Sequence, residues 1–497
     1  MPPPWRRPAA AAAALGVIGL ALRVWLTIAH APPTNSDEAT MGLAALHIWR
    51  GEDFPAYFYG QDYMGTIEAY LAAPLVGLLG PTPLALRLPT LALYAAFLPL
   101  MYALAKRAYS PWLGVATVGF LAFGADRIVK NQLIAGGGYP ETAPMVAALL
   151  LGVLVLAKSP TPRPWLTGGM GLLTGLILWN HWLPLPYLAA AGVILLVHRR
   201  RALWPALAGL LVGISPLIWH DLHAKLSNRS FAIFWHLQTT GGHPPLGDRL
   251  YGGGILGVPL GMGMCAPSSC PRWTLWWAPV YAALLVVAVV LAYRDARSVE
   301  RTVRLVLPLA ALLTIASYAH SPAAAETPIE SARYLSCLLI STPAWLDPLR
   351  RAAGTRWALP AGVPVAAGAA LGVFATVTLF LHAPVYSEMR AQQKAVLGRL
   401  AELDSTRVYA DYWTCDWIAY ETGEKRICAV LDDHAMARGF NRYAPYWDEV
   451  VGVPNVVYLA PIGSPLDGTL SAALTGVPVR TVANYHVFGP AANALRS

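Results

Sequence analysis

Long apolar runs with almost no charge inside them decide the class of this chain. About 20 such residues match the hydrocarbon thickness of a bilayer, where a helix satisfies its own backbone groups. Membrane barrels alternate apolar and polar positions along each strand, and these runs do not alternate. Composition agrees: 56% of the 497 residues are hydrophobic and 13% charged, with a mean hydropathy of +0.47. Soluble domains carry about 25% charge. A soluble enzyme, a disordered chain and a coiled coil are thereby excluded. The expected class is an α-helical polytopic membrane protein.

Hydropathy places spans near 8–29, 84–105, 111–125, 141–157, 165–180, 183–197, 202–219, 274–293, 305–319, 332–347 and 357–382, about eleven in all. The pair around Trp165–Val197 reads as a tight or re-entrant hairpin. The run Ile67–Leu79 is too short to span and is followed by Gly80-Pro81-Thr82-Pro83, so it reads as an interfacial helix. Residues 1–31 resemble a signal peptide ending in Ala29-His30-Ala31, but Arg23 interrupts a long apolar stretch, so the helix is read as uncleaved.

The net charge of +9 is not gathered on one soluble face, which argues against a nucleic-acid partner. Arg6, Arg7, Lys106, Arg107, Lys158, Arg163, Arg199 to Arg201, and the arginines of 294–304 and 350–356 punctuate alternate short connections. Short basic loops stay cytoplasmic. The N-terminus is therefore expected inside, and the longer loops and the C-terminus outside the cytoplasmic (inner) membrane.

After Leu381 the composition changes. Runs at Arg407–Asp411, Arg426–Leu431, Asn455–Leu459 and Tyr485–Phe488 read as strands, with helices at Tyr412–Glu421 and Ser471–Leu474 between them. The expected organisation is a membrane domain over 1–382 and a small extracytoplasmic α/β domain over 383–497. Cys265 with Cys270, and Cys415 with Cys428, fall as two pairs on the oxidising side, consistent with two disulfides, whereas Cys337 lies in a span. No zinc-ligand spacing accompanies them.

The most informative segment is the first outer loop. Asp37 and Glu38 open a short amphipathic helix that runs to about Trp49. Asn35 as N-cap with Glu38 three residues on has capping-box spacing, which explains Glu38 better than Asp37. Two adjacent carboxylates at a membrane surface also suit a general base. With Asp62 they are enough oxygens for a divalent cation, although no spacing demands one and no metal site is assigned.

The layout resembles the GT-C class of glycosyltransferases, within it the protein O-mannosyltransferase and lipid A aminoarabinose transferase superfamily. The resemblance rests on Asp37-Glu38 after the first span, then YFYGQDYMGTIEAYLAAP, GPTPLALRLPTLALYAAFLPLMYALAKRAY and ESARYLSCLLISTP. It covers most of the first 382 residues. The proline-rich segment usual in that superfamily is replaced by Met64–Tyr70, and no lectin-like or tetratricopeptide tail follows. The resemblance implies a polyprenyl-phosphate-linked sugar as donor and a glycan, lipid or protein as acceptor. It also assigns the role of base to Asp37, the first acid of the pair, and Glu38 is expected beside it as a second catalytic residue.

A polyprenyl phosphate is already a fair leaving group, so the reaction needs a base at the acceptor hydroxyl and positive charge at the departing phosphate. Arg333 opens a span at the outer interface and presents a fork suited to phosphate. Arg127 and Lys130 can assist it. Tyr59, Gln61, Tyr63, Glu141, His181 and Tyr334 are the expected substrate-binding groups; His243 reads as ordinary loop. The rival reading is a transporter or flippase for lipid-linked sugars. Transporters keep ionisable groups inside their spans, and here Arg23 alone does so.

Overall fold

The computed structural model describes residues 6–161, 163–239, 242, 244–267, 270–403 and 405–495; His243 lies outside them. The chain forms two compact units. The first contains Met1–Trp25, Thr90–Leu133 and Gly138–Leu381, and the second Leu26–Pro89, Ile134–Gly137 and His382–Ser497. The boundary falls inside three helices, Arg6–Ile28, Pro83–Ala108 and Ala358–Glu402.

Helices occupy every run read as a span, but fewer of them are full crossings than the eleven expected. Among the described residues six are long and apolar enough, or up to eight if two bent pairs each count as one span. The physical reason is length. Pro164–Asn180 has 17 residues and Leu185–His198 has 14, or about 25 and 21 Å of rise. The 332–347 run is a 3₁₀ stretch, Ala332–Ser341, followed by the 11-residue helix Thr342–Ala352.

Within the first unit, the helices Pro111–Ala122 and Asp126–Leu133 meet at a 93° bend. A break in hydrocarbon orphans the last carbonyls of the first helix. Arg23 meets that need. Its guanidinium donates to Ala122 O at 2.6 Å and Gly19 O at 3.2 Å, clasps Gln132 Oε1 at 2.8 and 2.9 Å, and lies 4.1 Å from the Tyr94 ring centroid. Tyr94 donates to Leu121 O at 3.1 Å. The arginine that the transporter reading depends on thus has a structural use.

The second unit joins the segment after the first helix to the C-terminal segment. Its first part contains the helix Ser36–Arg50, the hairpin β1 (Tyr57–Phe58) and β2 (Gln61–Gly65), and the helix Ile67–Leu79. The hairpin was not expected from the sequence. The C-terminal strands are β3 (Arg407–Ala410), β4 (Ile427–Asp432), β5 (Ala435–Arg438), β6 (Asn455–Pro461), β7 (Val479–Val482) and β8 (Tyr485–Ala492), in spatial order β5-β4-β3-β6-β8-β7. β3 is parallel to both β4 and β6, and the outer strands are antiparallel. β5 and β7, short and largely exposed, escaped the sequence reading. The helix Ala358–Glu402 runs 20 residues beyond the boundary at 382. Both expected disulfides are present, Cys265–Cys270 and Cys415–Cys428, and Cys337 is free and buried.

The helix Ser36–Arg50 packs on the helix Tyr412–Glu421, which begins at the carboxyl end of β3. A glycine permits the approach: a Cβ at Gly42 would stand 2.6 Å from the fully buried ring of Tyr420. Gly42→Ala should therefore lower stability by about 1–3 kcal/mol through overpacking. Gly398→Ala, with nothing within 4 Å of its Cβ, should lower nothing. Melting temperatures of the two purified variants check this.

Candidate functional site

Asn35 caps the helix Ser36–Arg50, its side chain accepting from Glu38 N at 2.9 Å. The cap is as expected, but Glu38 does not complete a box. Its carboxylate is fully buried and takes two bonds of 2.8 Å from Arg87, which is 1% exposed. Both acids were expected to do chemistry. Glu38 is instead sealed in a bidentate ion pair, where no acceptor can reach it.

Asp37 has the opposite surroundings. Its side chain is 19% exposed, and Oδ1 accepts from Tyr412 Oη at 2.7 Å and from Arg442 at 2.8 Å. Arg442 also donates to Tyr412 Oη and to Tyr59 O, and lies 4.4 Å from the Phe58 ring centroid. Among the described residues Oδ2 of Asp37 has no bonded partner. Behind this group Asp416 is 4% exposed and bonded to Thr40. Burial, with a smaller contribution from the Asp37 charge, raises its carboxyl to about 6, against the pull of Thr40 and Arg442.

A second polar cluster closes the far end of the same helix. His47 Nε2 lies 2.9 Å from Glu424, and its Nδ1 lies 2.8 Å from Tyr59 Oη, which donates to Asp53. Burial alone would raise Glu424. The His47 and Tyr446 hydrogen bonds, with the charges of His47 and Arg50, take it down to about 2. His47, Glu52 and Glu424 are the one metal-capable group among the described residues. Arg50 already pairs with Glu424 and lies 3.7 Å from Glu52, so a guanidinium supplies the positive charge that a cation would bring. The oxygens proposed from sequence fit a metal no better, since Glu38 is taken by Arg87.

Of the other expected residues in this unit, Tyr59 belongs to the His47 cluster, and Gln61 and Tyr63 are half-buried in β2. The first unit groups several more. Arg333 lies 5.4 Å from the ring centroid of Tyr139 and 5.8 Å from that of Tyr334. His181, in the turn after Asn180, lies 5.4 Å from Tyr139, and burial together with Arg333 pushes its imidazole down to about 3. Arg127 donates to Ile329 O at 2.9 Å, within the electrostatic reach of Arg333. Glu141 is buried in the first turn of Tyr139–Lys158, and Lys130 is half-buried in Asp126–Leu133. Arg442, Tyr412 and Asp416 were missed. They stand 405, 375 and 376 residues from their partners, and no local spacing can signal that.

Two stability predictions follow from these surroundings. Glu38→Gln leaves the Arg87 charge buried and unmatched, so it should cost about 3–5 kcal/mol, seen as a large fall in melting temperature. For Asp416 the folded carboxyl sits above its unfolded value. The stability linked to its protonation is therefore complete below about pH 4 and is lost as pH rises through about 6. Asp416→Asn should flatten that part of the melting-temperature profile.

No protein-family profile matches the chain, and no curated protein matches it in sequence. Solved structures do match. ArnT from Cupriavidus metallidurans bound to undecaprenyl phosphate aligns over 99% of this chain and 98% of its own, at TM-score 0.61 and 12% identity. In the apo state it aligns over 91% and 93%, at 0.55 and 12%. The oligosaccharyltransferase AglB from Archaeoglobus fulgidus, in complex with an inhibitory peptide and a dolichol-phosphate, aligns over 98% and 76%, at 0.52 and 11%. The chain is therefore a multi-span membrane protein with the GT-C fold, the one shared by this lipid A aminoarabinose transferase and this oligosaccharyltransferase.

Proposed function

We propose that this chain transfers a sugar from a polyprenyl-phosphate carrier to a hydroxyl acceptor at the outer face of the cytoplasmic membrane, with inversion and with Asp37 as general base. The observation that carries the reading is the contrast between the two acids: Glu38 is sealed by Arg87, while Asp37 is held through one oxygen only and keeps the other open. The donor class is supported by the structures of similar fold, one bound to undecaprenyl phosphate and one to a dolichol-phosphate.

In the proposed reaction Oδ2 of Asp37 takes the proton of the acceptor hydroxyl, and the oxygen attacks the anomeric carbon. The bond from that carbon to the phosphate oxygen breaks, and its electrons leave with the polyprenyl phosphate. Phosphate at this position is stable as an anion, so the step needs cations rather than an acid. Arg333, with Arg127 and Lys130, is assigned to it, and a neutral His181 adds polarity without competing charge. Glycans, lipids and proteins all offer a suitable hydroxyl.

Asp37→Asn keeps the size of the side chain and an oxygen that can accept from Tyr412 and Arg442, but removes the charge opposite Arg442, so the variant should fold with a lowered melting temperature. Sugar transfer should fall by about 10²–10⁴. A folded and fully active variant would end the assignment. Arg333→Lys keeps charge but loses the fork, and should reduce donor turnover by roughly 10- to 100-fold. Sidedness is checked by cysteines placed at the exposed positions Glu52 and Ala435: a membrane-impermeant maleimide should label both in intact cells, and protection of both would reverse the orientation.

A further inference from the structure

The two side chains that hold Asp37 both come from the C-terminal α/β segment. Tyr412 opens the helix after β3, and Arg442 lies in the loop after β5. The three groups form a closed triangle. Arg442 donates through one nitrogen to Asp37 and through Nε to Tyr412 Oη, and Tyr412 donates its own proton to the same Asp37 oxygen. Both contacts fall on Oδ1. The arginine is 6% exposed and is fixed in turn by Tyr59 O and the face of Phe58. A guanidinium so held cannot follow a wandering carboxylate; it dictates where the carboxylate stands.

We infer that Arg442 and Tyr412 are positioning residues for Asp37, and that the C-terminal domain is an integral part of the catalytic centre rather than an accessory that only selects acceptors. This rests on Asp37 being the base. Both partners occupy Oδ1, so the oxygen left for the acceptor proton is always Oδ2, aimed in one direction. Nothing about donor binding requires the triangle. Losing it should therefore slow turnover without weakening donor capture.

The test uses full-length protein in vesicles of total lipid from the source cell, with release of free polyprenyl phosphate as the readout. Arg442→Ala should lower kcat by about 10²-fold, the usual effect of a misplaced reacting group. The apparent KM for the donor-bearing lipid should stay within about twofold. Millimolar guanidinium chloride should restore turnover saturably in this variant and leave the parent unchanged, as a filled positioning slot requires and a folding defect would not. Tyr412→Phe should lose about 2- to 10-fold, the worth of one hydrogen bond. A folded Arg442→Ala with parental kcat, or with its loss wholly in KM or untouched by guanidinium, would overturn the inference while an inactive Asp37→Asn still upheld the base. A fully active Asp37→Asn would overturn both.

Discussion

Charge that must be kept out of water organises the second unit of this protein. The Glu38–Arg87 pair is almost wholly buried and bidentate, a geometry in which mutual attraction offsets the heavy desolvation of both ions. It fixes the helix Ser36–Arg50 to the start of Pro83–Ala108. The helix is also fixed by its fit to Tyr412–Glu421: Gly42, one turn on from Glu38, lets the Tyr420 ring approach, and on the opposite side Ser36 and Thr40 bond to Tyr412 O and Asp416. Tyr420 completes the contact by donating to Thr82 O at 2.9 Å. With the helix held on two sides, the residue beside Glu38 has one accessible orientation.

The same economy with polar groups appears in the first unit, where a right-angled break in a membrane helix would leave carbonyls without partners. Arg23 and Tyr94 serve them. An arginine inside an apolar helix therefore need not mark a transport path. Among the described residues, each hydrogen bond it makes goes to a broken helix, to its own helix or to Gln132.

Much of this was legible in the sequence because it is local. The helix Ser36–Arg50, its Asn35 cap, the helix Ile67–Leu79 and the helix Tyr412–Glu421 follow from periodicity and capping, and the structure forms them within a residue or two. The cysteine pairs were legible because each pair shares one segment, 5 and 13 residues apart. The span count did not, because apolar length alone does not reveal where a run bends, as at residues 123–125, or tightens into 3₁₀ turns, as at Ala332–Ser341. The partners of Asp37 and Glu38 were not legible either. Arg87 stood inside a quoted motif with nothing to mark it as the mate of an acid 49 residues away. Arg442 is an ordinary arginine after a short strand until the fold brings it to Asp37.

What remains is why two neighbouring acids should have opposite fates. Successive side chains on a helix point about 100° apart, so Asp37 and Glu38 cannot share an environment once the helix is fixed on two sides. One must turn into the packed interior, where only a full-strength counter-ion makes it tolerable, and the other toward the edge. The proposed inverting transfer from a phosphate carrier would use that division. The anchored acid must keep its place against Arg87, since the helix depends on it. In the proposed reaction the working acid, Asp37, would accept a proton repeatedly from a substrate that comes and goes. A lone carboxylate at the edge would swing between rotamers, and holding it through one oxygen by a buried arginine and a tyrosine leaves the other oxygen free without leaving it loose. On the proposed assignment the pair Asp37-Glu38 is a division of labour set by helical geometry, with Arg87 and Arg442 as the two cations paired with it.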